Sequence, residues 1–254
     1  NYYYEKDYEN AKNILKNFKK EDNFYYWNRK KKEAEIMLIQ KNKKESLKFI
    51  VSEFKKIKEP NNKMIFDLAN FYKRSKDYKN AIKYYSKVIK DLSENSEIKS
   101  DILYRRGGSY ERSGDFFNAD KDLLGSLSIN PNDAYVLNYL AYSWLERDYK
   151  IEEAMEMLKT AYEAENDDPY IIDSIGWAYY LIDDYKEAEK YLKRAVEMMP
   201  YDPIVNDHYG DILWKLDRKI QARYFWKNVL KMDDVEKEMI ENIYNKLIKG
   251  PKSS

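Results

Sequence analysis

Small residues and large apolar residues alternate along this chain with a period near 34. Laying residues 169–202 over 203–235 puts Ile175 and Gly176 on Tyr209 and Gly210, Ala188 on Ala222, Leu192 on Trp226 and Ala195 on Val229. Leu140 and Ala141 lie 35 residues before Ile175 and Gly176, and Gly107 lies 34 before Ala141. Leu68 and Ala69 lie 38 before Arg106 and Gly107. A second series, Ala81, Ala119, Ala154, Ala188 and Ala222, keeps the same rhythm. Such a period is the mark of a stacked supersecondary unit. The spacing predicts two antiparallel helices per unit, which cross where Gly or Ala lets their backbones approach. Large side chains at positions 4, 7, 11 and 24 of each unit fill the flanks by ridges-into-grooves packing. Pro131 and Pro200 close two of the units, since a helix must stop there.

In this register five clear repeats cover residues 62–233, starting near Asn62, Ser100, Ala134, Pro169 and Pro203. Residues 1–61 read as degenerate repeats. One unit spans residues 24–58 with Ala34 and Ser46 at its small positions. Before it, Tyr8, Ala11, Leu15 and Phe18 form the apolar stripe of a lone second helix. Four extra residues before Ser100 are expected in a polar loop at 93–97, and one extra residue before Pro169 in the turn at 148–151. After a predicted cap at Asp233 and Asp234, residues 234–249 read as a capping helix. Its apolar face is Val235, Met239, Ile240, Ile243, Tyr244 and Leu247, and Gly250 and Pro251 end it before a tail at 250–254. The polar face of that helix suits the end of an array. No such cap is evident at the other end, so the chain is expected to be the C-terminal part of a longer array.

Composition narrows the chemistry. The 254 residues include no cysteine and one histidine, His208, and 46 Lys and Arg stand against 45 Asp and Glu. Without cysteine there is no disulfide framework, thiol nucleophile or zinc–thiolate site. Near-neutral charge gives no reason to expect nucleic acid or an anionic membrane as partner. No stretch approaches the roughly 20 apolar residues of a bilayer span. The sequence shows no phosphate loop, paired catalytic carboxylate motif or metal-ligand spacing, and no cofactor is expected.

The period, the small positions and the aromatic positions resemble tetratricopeptide repeats over about residues 62–231. The resemblance implies an all-α, right-handed superhelical solenoid of antiparallel helix pairs, about six in number, with a C-terminal capping helix. Three phrases are closer to an alphaproteobacterial family of such proteins: residues 138–142, 173–179 and 206–211, together with 221–226. That resemblance implies a periplasmic or envelope-associated scaffold with no enzymatic activity, a cytoplasmic one being the alternative.

In such a solenoid the first helices line a concave face, with positions 2, 5, 6, 9, 12 and 13 turned into it. From Ala134 these are Tyr135, Asn138, Tyr139, Tyr142, Leu145 and Glu146. From Pro169 they are Tyr170, Asp173, Ser174, Trp177, Tyr180 and Leu181, and from Pro203 they are Ile204, Asp207, His208, Asp211, Trp214 and Lys215. This reads as an aromatic groove with a few carboxylates. Tyr and Trp give large contact area at low entropy cost. A partner protein segment, extended or helical, is expected on Tyr135, Asn138, Tyr139, Tyr142, Tyr170, Trp177 and Trp214. Asp173 and Asp207 are expected to accept hydrogen bonds from it, and His208 to add a polar contact. The competing expectation is that neighbouring units and the capping helix cover these rings.

Other features are read structurally. Trp144, Tyr179, Leu192, Leu213 and Trp226 fall at packing positions. His208 beside Asp207 suggests acid–base chemistry, but it lacks the third group a catalytic site needs. The run Asn28 to Lys32 near Tyr25, Tyr26 and Trp27 reads as a solvated helix face because acids flank it. Arg106 breaks the apolar pattern, so it either weakens its unit or pairs with a buried acid. Lys63, Lys73, Arg74, Arg105 and Arg112 make the upstream half more basic; with Asp67, Asp101 and Glu111 interleaved they read as a solvated mixed-charge face, the alternative being an acidic partner segment that bridges from there to the aromatic half. The groove does not resemble the carboxylate clamp of some relatives: Asn70 and Arg105 occupy suitable places, but the following units offer Tyr and Asp where basic residues belong. Two rivals to partner binding are a structural subunit that packs sideways into an assembly and an accessory module of a longer protein.

Overall fold

The computed structural model describes residues 7–16, 22–40, 42–94, 96–233 and 235–251. The expected roles of Phe18 and Asp234 and of residues 252–254 lie outside these. Among the described residues the chain forms fourteen α-helices and no strand, in two compact units that divide after Asn130. The first holds α1 (Tyr8–Lys16), α2 (Asn23–Ile39), α3 (Lys43–Phe54), α4 (Asn62–Arg74), α5 (Tyr78–Ile89), α6 (Glu97–Arg112) and α7 (Phe116–Ile129). The second holds α8 (Ala134–Leu145), α9 (Ile151–Ala164), α10 (Pro169–Leu181), α11 (Tyr185–Met198), α12 (Pro203–Lys215), α13 (Lys219–Val229) and α14 (Lys237–Lys249). From α2 to α13 each even-numbered helix pairs with the helix that follows it.

The small residues sit where the paired helices cross. A methyl group added at Gly107 would stand 2.9 Å from Leu123 Cγ, one at Gly176 2.8 Å from Leu192 Cγ, and one at Gly210 2.3 Å from Trp226 Nε1. Ala69, Ala81, Ala119, Ala141, Ala154, Ala188 and Ala222 are fully buried. In the α2–α3 pair Ser46 fills the small position, and its hydroxyl donates to the Ala34 carbonyl at 2.7 Å.

Four of the turns inside the pairs share one form. A left-handed residue follows the first helix: Lys76, Gly114, Asp183 or Asp217. The next N–H donates five residues back, Asp77 to Tyr72, Asp115 to Tyr110, Asp184 to Tyr179 and Arg218 to Leu213. This closure satisfies helix-end carbonyls that would otherwise lack donors. In the α8–α9 turn Asp148 takes the left-handed place and Tyr149 donates to Trp144. The extra residue is Lys150, also left-handed, just before α9. The helices α8, α10 and α12 start alike, with Asp133, Asp168 and Asp202 each accepting two N–H groups of the first turn. Pro169 and Pro203 occupy the first helical position, where a missing N–H costs little.

The four-residue insertion differs from expectation. Helix α6 starts at Glu97, three residues before Ser100, and has 16 residues where α4, α10 and α12 have 13. Most of the insertion is therefore an added helical turn. Ser96 caps it by accepting the Lys99 N–H at 3.2 Å, and Glu97 favours the positive end of the helix dipole. This turn forms one wall of a cavity of about 570 Å³ lined by Phe66, Val88, Leu92, Ile98 and Ile102.

Arg106 is explained by a buried acid. Its Nε and Nη2 donate to the two oxygens of Asp122 at 2.6 and 2.7 Å, and Nη1 donates to Ser86 Oγ at 2.9 Å. Such a bidentate pair fixes geometry as well as charge.

Helix α14 begins at Lys237, beyond Asp233, with Glu236 at its cap and no side-chain cap bond. Ile243 is buried, and Val235, Met239 and Leu247 pack beside it. Tyr244 is 56% exposed, so it does not belong to the apolar face expected for it. The stripe Met239, Ile243, Leu247 faces the core, and Tyr244 lies about 100° round the helix from Ile243. Gly250 closes against Trp214, where a methyl group would stand 2.4 Å from the indole.

Candidate functional site

Helices α8, α10 and α12 lie side by side in the second unit, and their equivalent positions form rows. The first row follows the capping aspartates: Tyr135, Tyr170 and Ile204, which are 54, 58 and 45% exposed. Each cap fixes the helix start, so these three side chains stand at matching places on neighbouring helices.

One turn further in come Asn138, Asp173 and Asp207. Asp207 Oδ1 accepts a hydrogen bond from Lys246 Nζ at 2.7 Å, and the same ammonium donates to Asp211 Oδ2 at 2.8 Å. Asp173 is 4% exposed, and its Oδ2 pairs with His208 Nδ1 at 2.8 Å. Asn138 Oδ1 and Asp173 Oδ1 are buried acceptors that meet no donor among the described residues. A buried polar atom without a partner costs about 1–3 kcal/mol.

Behind this row is a wall of rings. Trp177 stacks on His208 at 4.1 Å and on Tyr180 at 4.6 Å, and Tyr142 tilts against His208 at 6.2 Å. Trp177 Nε1 donates to Glu146 at 3.1 Å. Burial alone would lower the pKa of His208, but Asp173, Asp207 and Glu146 outweigh it and raise it above the usual imidazole value. When the ring is protonated, its Nδ1–H donates to Asp173 Oδ2. Burial and the neighbouring Asp207 push Asp211 up to about 6 despite Lys246. Burial also holds Tyr142 as a neutral phenol, well above its ordinary pKa.

The residues expected to meet a partner thus fall into two groups. Tyr135 and Tyr170 are exposed, and Asn138, Tyr139 and Tyr142 are half-buried on the same face. The others are already engaged within the chain. Asp173 and His208 bond each other, Trp177 is stacked between other rings, Asp207 holds Lys246, and Trp214 packs under Gly250 and against Trp226 at 5.4 Å. Leu145, Ser174, Tyr180 and Asp211, also expected on the open face, are buried. Close packing of neighbouring first helices seals their later turns. His208 pairs with Asp173, one helix away, and not with Asp207 beside it. Sequence reasoning missed Lys246. The available signal was a lysine between Ile243 and Leu247, on the edge of an apolar face.

The first unit differs in character. Trp27 is buried and donates to Asp67 at 2.9 Å. In the basic run after it, Arg29 donates to the Leu15 carbonyl, Lys30 pairs with Glu33, Lys31 with Asp67 and Lys32 with Glu35. The run therefore serves internal pairs more than solvent. Asn70 accepts from Tyr85 at 2.6 Å. Lys73 lies over the Tyr104 ring at 5.9 Å, and burial followed by Arg105 lowers its pKa to about 8. The units also differ in charge. Residues 1–130 carry 29 Lys and Arg against 20 Asp and Glu, a net of +9, and residues 131–254 carry 17 against 25, a net of −8.

Among the described residues no helix is long and apolar enough to cross a membrane. The tetratricopeptide repeat family matches residues 27–234. A TPR repeat-containing protein of Pseudomonas aeruginosa is 34% identical over 91 residues, a stretch that is 36% of this chain and 15% of that protein. The chain thus spans a small part of the length of that relative. Among solved structures, the APC/C hetero-tetramer Cut9-Hcn1 aligns with a TM-score of 0.73 at 12% identity, over 96% of this chain and 46% of that one. A tetratricopeptide repeat protein from Parabacteroides merdae aligns at 0.65 and 14% identity, over 87% of this chain and 85% of that one. PilW, a type IV pilus biogenesis factor, aligns at 0.62 and 20% identity, over 74% and 85%. At these identities the structural likeness speaks to fold alone. With the family matched over most of its length, and with its helix pairs crossing at Gly and Ala in a 34-residue rhythm, the chain belongs to the tetratricopeptide repeat proteins.

Proposed function

We propose that this chain is a protein-interaction scaffold that holds a partner segment on the first-helix face of its second unit. The observation that carries this is the row Tyr135, Tyr170 and Ile204. Three large apolar side chains stand exposed at one repeat position, each fixed by a capping aspartate. Exposed apolar rows of this kind mark interaction surfaces. Neighbouring helices in such stacks are about 8–10 Å apart, roughly three residues of an extended chain. A partner side chain at every third residue would therefore meet successive helices. The rigid stack behind the row, from Tyr180 through Trp177 to His208, keeps the face preformed.

The test is selection of random 12-residue peptides on the full chain, repeated with Tyr135→Ser, Tyr139→Ser and Tyr170→Ser combined. The expected result is an enriched family of peptides that loses at least tenfold in affinity on the variant. No enrichment, or equal binding to a variant of unchanged helicity, would overturn the reading.

One observation favours a second reading, lateral packing into an assembly. Ile220 and Tyr224 on α13, and Tyr244 and Ile248 on α14, are exposed one turn apart on their helices. Concentration-dependent self-association that Ile220→Glu abolishes would support it.

A further inference from the structure

The row Asn138, Asp173 and Asp207 is only partly filled from within the chain. These are equivalent positions on α8, α10 and α12, separated by 35 and 34 residues. At Asp207 the row accepts the ammonium of Lys246, which reaches it from α14 and is itself half-buried. At Asn138 and Asp173 the corresponding oxygens are buried and meet no donor among the described residues. The chain's own lysine thus shows what chemistry this row takes. Three more features agree. Tyr135 and Tyr170 stand one turn before the two open acceptors, on neighbouring helices, and tyrosine faces attract cations. The carboxylates of Asp133, Asp168 and Glu146 lie on the same two helices or at their caps. The unit carries a net charge of −8, which favours encounter with a positive partner.

We infer that the partner segment is basic, and that one of its lysine or arginine side chains enters between Tyr135 and Tyr170 to donate to Asn138 and Asp173. The inference rests on the peptide-binding reading above. Lys246 is its internal counterpart one helix along. Asp173 keeps His208 on its other oxygen, so the incoming cation meets an acceptor already held in place.

The test uses three peptide libraries, identical except that their polar positions are fixed as Lys and Arg, as Gln, or as Glu. Each is selected on the full chain. Binders are expected from the basic library, at least tenfold tighter than their Gln counterparts and weakened steeply between 50 and 300 mM salt. Asn138→Lys, which places a cation at the acceptor row, is expected to abolish that preference. Asn138→Gln, which keeps an acceptor and adds no charge, is expected to retain it. If Asn138→Lys unfolds the unit, the library comparison and its salt dependence decide. Gln or Glu binders of equal affinity, lost on the Tyr135, Tyr139 and Tyr170 variant, would overturn the basic partner and leave the peptide-binding reading intact. No binders from any library would overturn both.

Discussion

The two units of this chain build the same helix pair and charge it in opposite ways. In the first, net +9, the most buried pair between helices lies within one repeat, Arg106 on α6 to Asp122 on α7, while the more exposed Lys31 on α2 pairs with Asp67 on α4 across repeats. In the second, net −8, the ionic contacts run between repeats: His208 on α12 to Asp173 on α10, and Lys246 on α14 to Asp207 and Asp211 on α12. The Arg106–Asp122 pair locks the two helices of one repeat and reaches the repeat before it through Ser86 on α5. The contacts of the second unit tie one first helix to the next and build a continuous face. The spacing of the repeats differs too, since an added turn in α6 lines a cavity in the first unit, whereas α8, α10 and α12 start alike in the second.

The largest expected effect breaks the Arg106–Asp122 pair. Asp122→Ala leaves Arg106 buried without its carboxylate and should destabilise by about 3–5 kcal/mol. Hydrogen exchange should show lost protection in α6 and α7 and little change in α8 to α14. Next, Gly210→Ala forces a methyl group into the Trp226 indole and should cost about 1–3 kcal/mol, with protection lost in α12 and α13.

The third sharpens the comparison through pH. The raised pKa of His208 means that the folded state holds its proton more tightly than the unfolded chain does. Its stabilisation is therefore complete below about pH 6.5, the ordinary imidazole value, and is lost as pH rises through the folded pKa. Asp211, raised to about 6, acts in the same direction between its ordinary range and pH 6. Protection in α10 and α12 should fall on going from pH 6 to pH 9. His208→Gln should flatten the upper part of this dependence and leave α4 to α7 unaffected. The smallest effect is expected from Tyr135→Ser with Tyr170→Ser, whose melting should shift by no more than about 0.5 kcal/mol per site, because both rings face solvent.

Much of this was legible in the sequence for a geometric reason. Gly107, Gly176, Gly210 and the buried alanines sit at crossings where nothing larger fits, so close packing writes the repeat directly into the chain. The candidate site was less legible. Asp173 and Asp207 occupy the same repeat position and read alike, yet one bonds a histidine and the other a lysine from α14. Pairings across neighbouring helices depend on side-chain reach, which a periodic pattern does not encode. Lys246 escaped notice because the capping helix has no repeat to be aligned with. The insertion before Ser100 escaped because extra residues fit a loop or an added turn equally well until the Ser96 cap is considered.

The proposed binding surface is the first-helix face of the second unit. The most direct measurement is hydrogen–deuterium exchange of the full chain with and without a selected peptide. Added protection is expected in α8, α10 and α12, strongest around Tyr135 to Tyr142 and Tyr170 to Trp177, and none in α4 to α7. Protection concentrated on α9, α11 and α13, or confined to the first unit, would contradict it.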